Sequence, residues 1–460
     1  MNEPTKVPLT RLAHIFLLVA MAGAATACAQ QEGPVPGEPI SAAKQFVGQL
    51  AKGEFSPARA RFDATMKRVV PEAKLAEIWA SLISQTGPLR EQIGTRTEKV
   101  ERYDIVFVTC KFERSTLDVK VVFNRDKQIG GLFFVPSRSV ADGKPPVYAK
   151  PDSFREEEVV VGSGEWELPA TLTVPAGGGL FPAVVLVHGS GRNDRDETIG
   201  PNKPFRDLAL GLATRRVAVL RYDKRTKVYG PKLAAAAGKI TAEKITVKEE
   251  TIDDALAAVA LLRETPGIDP KRIFVAGHSQ GGMLIPRIAA RDQRIAGFVV
   301  LAGTTRPLED VVLDQHNYLF SLDGEISATE KEILDKLQQQ VARVKDPALS
   351  AETPGADLPL GIPAAYWLDL RGYDPVEAAK SIRRPLLILQ GQRDYQVTAE
   401  DFAGWKRSLS SRANVRLKQY PTLNHLFMHG EGASTPAEYL KPGHVAEIVV
   451  EDIAAWIEAL

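Results

Sequence analysis

In the second two-thirds of the chain, short continuous apolar runs alternate with amphipathic segments. The runs are PAVVLVHG (182–189), RIFVAG (272–277), IAGFVVLAG (295–303) and PLLILQG (385–391), with VAVLRYD (217–223) and NVRLKQY (414–420) as further strand patterns. Between them lie helical patterns such as PFRDLALGLATR and TIDDALAAVALLRE, the latter with Thr251 placed to cap it. A strand that is apolar throughout, not at every second residue, must be covered on both faces. Strand and helix in alternation can satisfy that only as a mostly parallel sheet with helices on either side. The fold class predicted is therefore α/β over residues 157–460, opened by the strands EEVVVG and ELPATLTVP and closed by the helix GHVAEIVVEDIAAWIEAL.

Two interruptions break this rhythm. Residues 304–384 are helix-rich (TEKEILDKLQQQVARV) and carry breakers such as ETPGADLPLGIP. An insertion of that length is expected to cap the carboxyl ends of the strands, where ligands bind in open α/β sheets. A shorter insertion covers 226–250.

Ahead of residue 157 the pattern is different. Residues 41–135 begin with helices: in PEAKLAEIWASLISQTG, Leu75, Ile78, Trp79, Leu82 and Ile83 share one face. From about Thr95 the period becomes two, and IVFVTCKFE, TLDVKVVFN and IGGLFFVP read as a β-meander. A small α+β domain with no catalytic grouping is expected there, followed by a proline-rich linker at 136–156. Residues 1–29 read as an export signal, with Lys6 and Arg11 before the apolar stretch 12–25, and residues 30–40 as a tether. Cleavage after Ala29 would release a periplasmic or secreted protein; cleavage before Cys28 would instead give a lipid-anchored one. The net charge of +1 gives no footprint for nucleic acid, and no apolar run in the mature chain is long enough to span a membrane. Cys110, in an alternating strand, reads as a half-buried structural cysteine. No His/Cys/Asp cluster has metal-ligand spacing, so neither metal nor cofactor is expected. Oligomeric state is not legible.

The chemistry gathers around GHSQGG. G-x-S-x-G alone is a weak motif, but here Ser279 stands between a buried strand and the helical pattern GGMLIPRIAAR. That is the setting of a nucleophile elbow, in which Gly277 and Gly281 make room for a sharp turn. The amide of Gln280 then becomes one candidate oxyanion donor. HGSG after another buried strand offers the second, at Ser190 or alternatively Gly191, with His188 read as structural. A serine needs a base and an orienting carboxylate, expected in the order Ser, Asp, His. Asp394 follows PLLILQG, with Asp401 as the weaker alternative, and His425 follows the last strand, ahead of His429 and His444. Tyr366 and Trp367 in the cap are candidates for lining a substrate pocket, or for packing the cap itself. Lys224, Arg225 and Lys227 read as a solvated loop, with recognition of a substrate carboxylate as the alternative.

HGSG, GHSQGG, GQRD and LNH, in this order, resemble the α/β-hydrolase superfamily over residues 157–460, nearest to bacterial secreted esterases of the dienelactone-hydrolase and prolyl-peptidase-like branch. Residues 41–135 resemble the small uncharacterised domain found before such hydrolases, expected to be a cystatin-like roll. The resemblance implies Ser279 as nucleophile, Asp394 as acid and His425 as base, with serine at the position where other branches carry Cys or Asp. It implies a serine esterase acting on a small-molecule ester of a short acyl group. A thioesterase or small-peptide hydrolase using the same triad is the alternative enzyme. A cell-envelope binding protein working through residues 41–135 is the alternative of another class.

Overall fold

A computed structural model of the chain describes residues 37–100, 103–113, 116–137, 144–230 and 245–460. The expected signal with Cys28, and residues 231–244 of the shorter insertion, lie outside the described residues. The chain divides into two compact units, Met1–Asp142 and Gly143–Leu460.

In the first unit four helices, Gly37–Ala51, Phe55–Ala60, Ala64–Val69 and Glu72–Thr86, precede an antiparallel sheet. Its strands β1 (Leu89–Val100), β2 (Tyr103–Phe112), β3 (Thr116–Phe123) and β4 (Ile129–Pro136) pair in chain order. Alternate residues Val106, Val108 and Cys110 of β2 meet Phe46, Leu50, Leu75 and Trp79 of the helices in one core. The period-two pattern locates β2 to β4 but misses the first half of β1. Its sequence LREQIGTRTEKV is polar because an edge strand with mostly exposed side chains has little apolar face to present. Cys110 is fully buried and not half-buried; burial, helped by the nearby Asp118, pushes its thiol up to about 12.

The second unit is built on eight strands: β5 (Phe154–Val161), β6 (Leu168–Pro175), β7 (Phe181–Val187), β8 (Ala218–Tyr222), β9 (Ile268–His278), β10 (Gly297–Leu301), β11 (Leu386–Gly391) and β12 (Val415–Tyr420). Their order is β12-β11-β10-β9-β7-β8-β6-β5, parallel from β12 to β8, with β6 and β5 added antiparallel. This is the α/β architecture that the apolar runs predict. Helices Pro204–Thr214 and Glu447–Glu458 cover one face through Phe205, Leu208, Val449 and Ile453. Helices Asp253–Glu264, Gln280–Arg291 and Ala399–Leu409 cover the other through Val259, Leu284, Ile288 and Trp405.

Three local expectations need correction. Thr251 does not cap its helix, because a π-helical turn at Lys248–Ile252 runs straight into it. Residues 144–156 belong to the second unit. The Tyr148 hydroxyl donates to the Val445 carbonyl at 2.8 Å, and β5 begins at Phe154. Prolines there mark irregular backbone, and side-chain hydrogen bonds fix it against the sheet layer. Trp367 is 1% exposed and packs with Val344, Leu349, Leu358 and Ala364, so it serves the core of the inserted segment rather than a pocket. That segment runs between β10 and β11 and contains helices Leu308–Phe320, Ala328–Lys345, Ala364–Leu370 and Pro375–Ala379. Among the described residues no helix is long and apolar enough to cross a membrane.

Candidate active site

Strand β9 ends at His278 and the next helix begins at Gln280, so Ser279 is the entire connection. Its backbone sits at φ 54° and ψ −119°, a region costly for any residue with a Cβ. The neighbouring glycines are there for space. A Cβ on Gly277 would overlap the Gly281 carbonyl, and one on Gly281 would overlap the carbonyls of Val187 and His188. At Gly189 a Cβ would come within 3.0 Å of the Ser279 Cβ, so the loop after β7 approaches the serine closely.

Ser279, Gln280, Ser190 and Gly191 all line one cavity of about 730 Å³. Most of its remaining lining comes from the inserted segment, with Leu308, Val311, Val312 and Ile362 among the apolar residues, and Arg192, Thr226, Ile245, Glu250, Gln396 and Val397 complete it. Among the described residues, neither the Ser190 nor the Gln280 amide spends its N–H on a protein acceptor. Both therefore remain available to a ligand.

His425 and Asp394 stand together. His425 Nδ1 lies 2.6 Å from Asp394 Oδ2, with the two residues 3% and 5% exposed. The turn after β11 holds the carboxylate in place: Oδ1 accepts from the amides of Gln396 and Val397 at 2.8 and 2.9 Å, and Oδ2 from Gln390 Nε2 at 2.9 Å. Asn424 Oδ1 accepts from the amides of Leu426 and Met428, which curls the loop carrying His425. The alternatives are occupied elsewhere. Asp401 caps helix Ala399–Leu409 and binds Thr304, Thr305 and Arg306; His444 faces Asp207; and His429 faces Thr422.

A buried pair lies directly behind His425. His278 Nε2 is 3.0 Å from the His425 carbonyl, and His278 Nδ1 is 2.8 Å from Glu197 Oε2. Both partners are oxygens, and the contact with Glu197 is an ion pair only when the imidazole is doubly protonated. Burial alone would depress its pKa, but the Glu197 charge outweighs that and holds it above the ordinary value. Burial would likewise raise Glu197, and the His278 charge holds it below. Glu197 Oε1 also accepts from the Gly189 amide at 2.7 Å, so the same carboxylate fixes the loop after β7. His188 is structural in its contacts, with Nε2 3.1 Å from the Asp194 carbonyl; burial lowers its pKa to about 4 and keeps it neutral.

The family model described as the alpha/beta hydrolase family matches residues 184–441, and a family of proteins of unknown function, DUF3887, matches residues 43–132. Esterase EstD of Thermotoga maritima is 41% identical over 414 residues, covering 90% of this chain and 93% of that protein. The chain belongs to the α/β hydrolase family. Similar solved structures include Est1E from Butyrivibrio proteoclasticus, at 17% identity and TM-score 0.42 over 66% of this chain and 98% of that one. Another is a Pyrococcus furiosus esterase, at 17% identity and TM-score 0.41 over 70% and 96%.

In this hydrolase the structure brings Ser279, Gln280, Ser190, Gly191 and Tyr366 to one cavity and joins Asp394 to His425, while Trp367 lies apart. Sequence reasoning missed Glu197, His278 and Glu250, and read Lys224 in the wrong setting. Lys224 is 1% exposed and not part of a solvated loop, and Arg225 is paired with Asp254. The signal available was position: Lys224 comes two residues after the end of a fully buried strand.

Proposed function

We propose that this α/β hydrolase cleaves carboxylic esters through an acyl-enzyme on Ser279. In this reading His425 takes the Ser279 proton as the hydroxyl attacks the ester carbonyl. The amides of Gln280 and Ser190 receive the oxyanion, and Asp394 holds the imidazole with Nδ1–H toward itself. His425 then protonates the leaving alcohol and activates water for deacylation. The observation that carries the reading is the 2.6 Å Asp394–His425 bond beside a strained serine elbow. Its likeness to a protein named an esterase supports ester over amide substrates.

The cavity of about 730 Å³ lies within the range of small-molecule pockets and exceeds what an acetyl group fills. Short acyl esters are therefore substrates, and longer ones are accommodated as well. Steady-state turnover of p-nitrophenyl acetate, butyrate and hexanoate tests this, alongside matched thioesters and aminoacyl amides. Oxygen esters turned over best supports the reading; amides or thioesters turned over best contradicts it. Residues 1–29 support export with cleavage after Ala29. The mass of the mature N-terminus tests that against acylation at Cys28.

A further inference from the structure

Behind Ser190 and Gln280, the two residues with unspent amides that line the cavity, runs a line of buried polar side chains. Lys224, Glu250, Tyr366 and Gln280 are 1%, 6%, 8% and 3% exposed. They come from four separate places: the turn two residues past β8, the π-helical turn, the inserted helix Ala364–Leu370 and the first residue of the elbow helix. Lys224 Nζ donates to the Gly189 carbonyl at 2.8 Å and lies 3.4 Å from Glu250 Oε1. Glu250 also accepts from Thr226 Oγ1 at 3.0 Å and from the Tyr366 hydroxyl at 2.7 Å. The Tyr366 oxygen in turn accepts from Gln280 Nε2 at 2.8 Å.

We infer that the Lys224–Glu250 pair is a positioning device for both halves of the oxyanion hole, a role that rests on the esterase reading above. The carbonyl of Gly189 and the N–H of Ser190 belong to one peptide group. That group is planar and trans, so its C=O and N–H point in opposite directions. An ammonium on the oxygen therefore fixes where the N–H points and draws electron density from it. The effect is large in a buried site of low dielectric. At the other end, Glu250 holds Tyr366, and Tyr366 holds the side chain of the residue whose amide is the second donor. Burial and the Glu250 charge hold the Tyr366 phenol well above its ordinary value, so it keeps the proton it donates. Preorganised donors of this kind act on the transition state rather than on substrate binding. A merely structural ion pair would have no reason to place its ammonium on this particular peptide.

The test compares wild type, Ser279→Ala, Lys224→Met, Lys224→Arg and Tyr366→Phe with p-nitrophenyl butyrate and with a trifluoromethyl ketone, which forms an oxyanion on serine. Lys224→Met is expected to lower kcat on the order of 100-fold with KM changed less than about threefold, in the range of losing one oxyanion donor. Ketone affinity should fall by a similar factor, and Lys224→Arg should recover part of both. Tyr366→Phe removes a single oxygen and is expected to lower kcat about tenfold with the same KM pattern. It keeps the inference open to refutation if Lys224→Met does not fold. Unchanged kcat in the folded variants overturns the inference, as does a loss of kcat with ketone affinity intact. If wild type and Ser279→Ala turn over esters equally, the esterase reading fails and this inference with it. Ester turnover that depends on Ser279 but not on Lys224 or Tyr366 overturns this inference alone.

Discussion

The His278 imidazole is hydrogen-bonded to the backbone carbonyl of His425 at 3.0 Å. The residue just before the elbow serine is thereby tied to the loop that carries the base. Its other nitrogen faces Glu197, whose second oxygen holds the loop after β7. Three loops that must stay in register to form the site are joined at one buried ion pair.

That pair makes stability depend on pH. His278 has its folded pKa raised above the ordinary 6.5, so its contribution is complete below that value and is lost as pH rises through the folded pKa. Glu197 has its folded pKa lowered below 4.5, so its contribution is present above that value and is lost as pH falls through the folded pKa. Between these limits both charges are present. His278→Gln should therefore lose most Tm relative to wild type near pH 5 to 6.5, and the gap should narrow at alkaline pH. Thermal denaturation across pH checks this; a gap that widens with rising pH would contradict it.

Gly281→Ala places a methyl group against the carbonyls of Val187 and His188, on a turn with no room to shift. A destabilisation of about 3 kcal/mol is expected, at the upper end of the range for overpacking. Esterase activity should be lost in whatever protein folds. Denaturant titration and a turnover assay measure the two effects.

Asp394→Asn replaces the carboxylate that faces His425 Nδ1 with an amide able to donate. The imidazole is then favoured in the wrong tautomer, and kcat should fall on the order of 10⁴-fold. Asp401→Asn, by contrast, should loosen the start of the inserted segment through Thr304 and Arg306 and show mainly as lower Tm.

The proposed function makes the apolar wall of the cavity the seat of the acyl chain. Val311→Phe fills the space beside Val312 and Leu308. It should cut kcat/KM for p-nitrophenyl hexanoate at least tenfold while leaving acetate within about threefold, a discrimination in the range that pocket volume can supply. Equal losses on both esters would place the acyl chain elsewhere.

How much of this was legible in the sequence differs by kind of interaction. The parallel sheet was legible because strands buried on both faces must be apolar throughout, as PAVVLVHG and RIFVAG are. Ser279, Asp394 and His425 were nominated because each follows a strand of the sheet in a fixed order, and the structure pairs the last two. Strand β1 was only partly so, since an edge strand exposes its side chains and loses its period. Trp367 could not be assigned between pocket and core, because an apolar side chain on a helix serves either equally. Lys224 and Glu250 were opaque for a deeper reason. A charged residue reads as solvated until its partner is known, and here the partner lies 26 residues away, beyond the undescribed stretch 231–244.

The central claim is that Ser279 carries the acyl group. The most direct measurement is labelling with a fluorophosphonate, followed by peptide mass mapping, in wild type and Ser279→Ala. The account predicts one labelled peptide containing GHSQGG, no label in the variant, and a kcat on p-nitrophenyl butyrate lowered on the order of 10⁶-fold. A label on another residue, or turnover that survives the substitution, would contradict it.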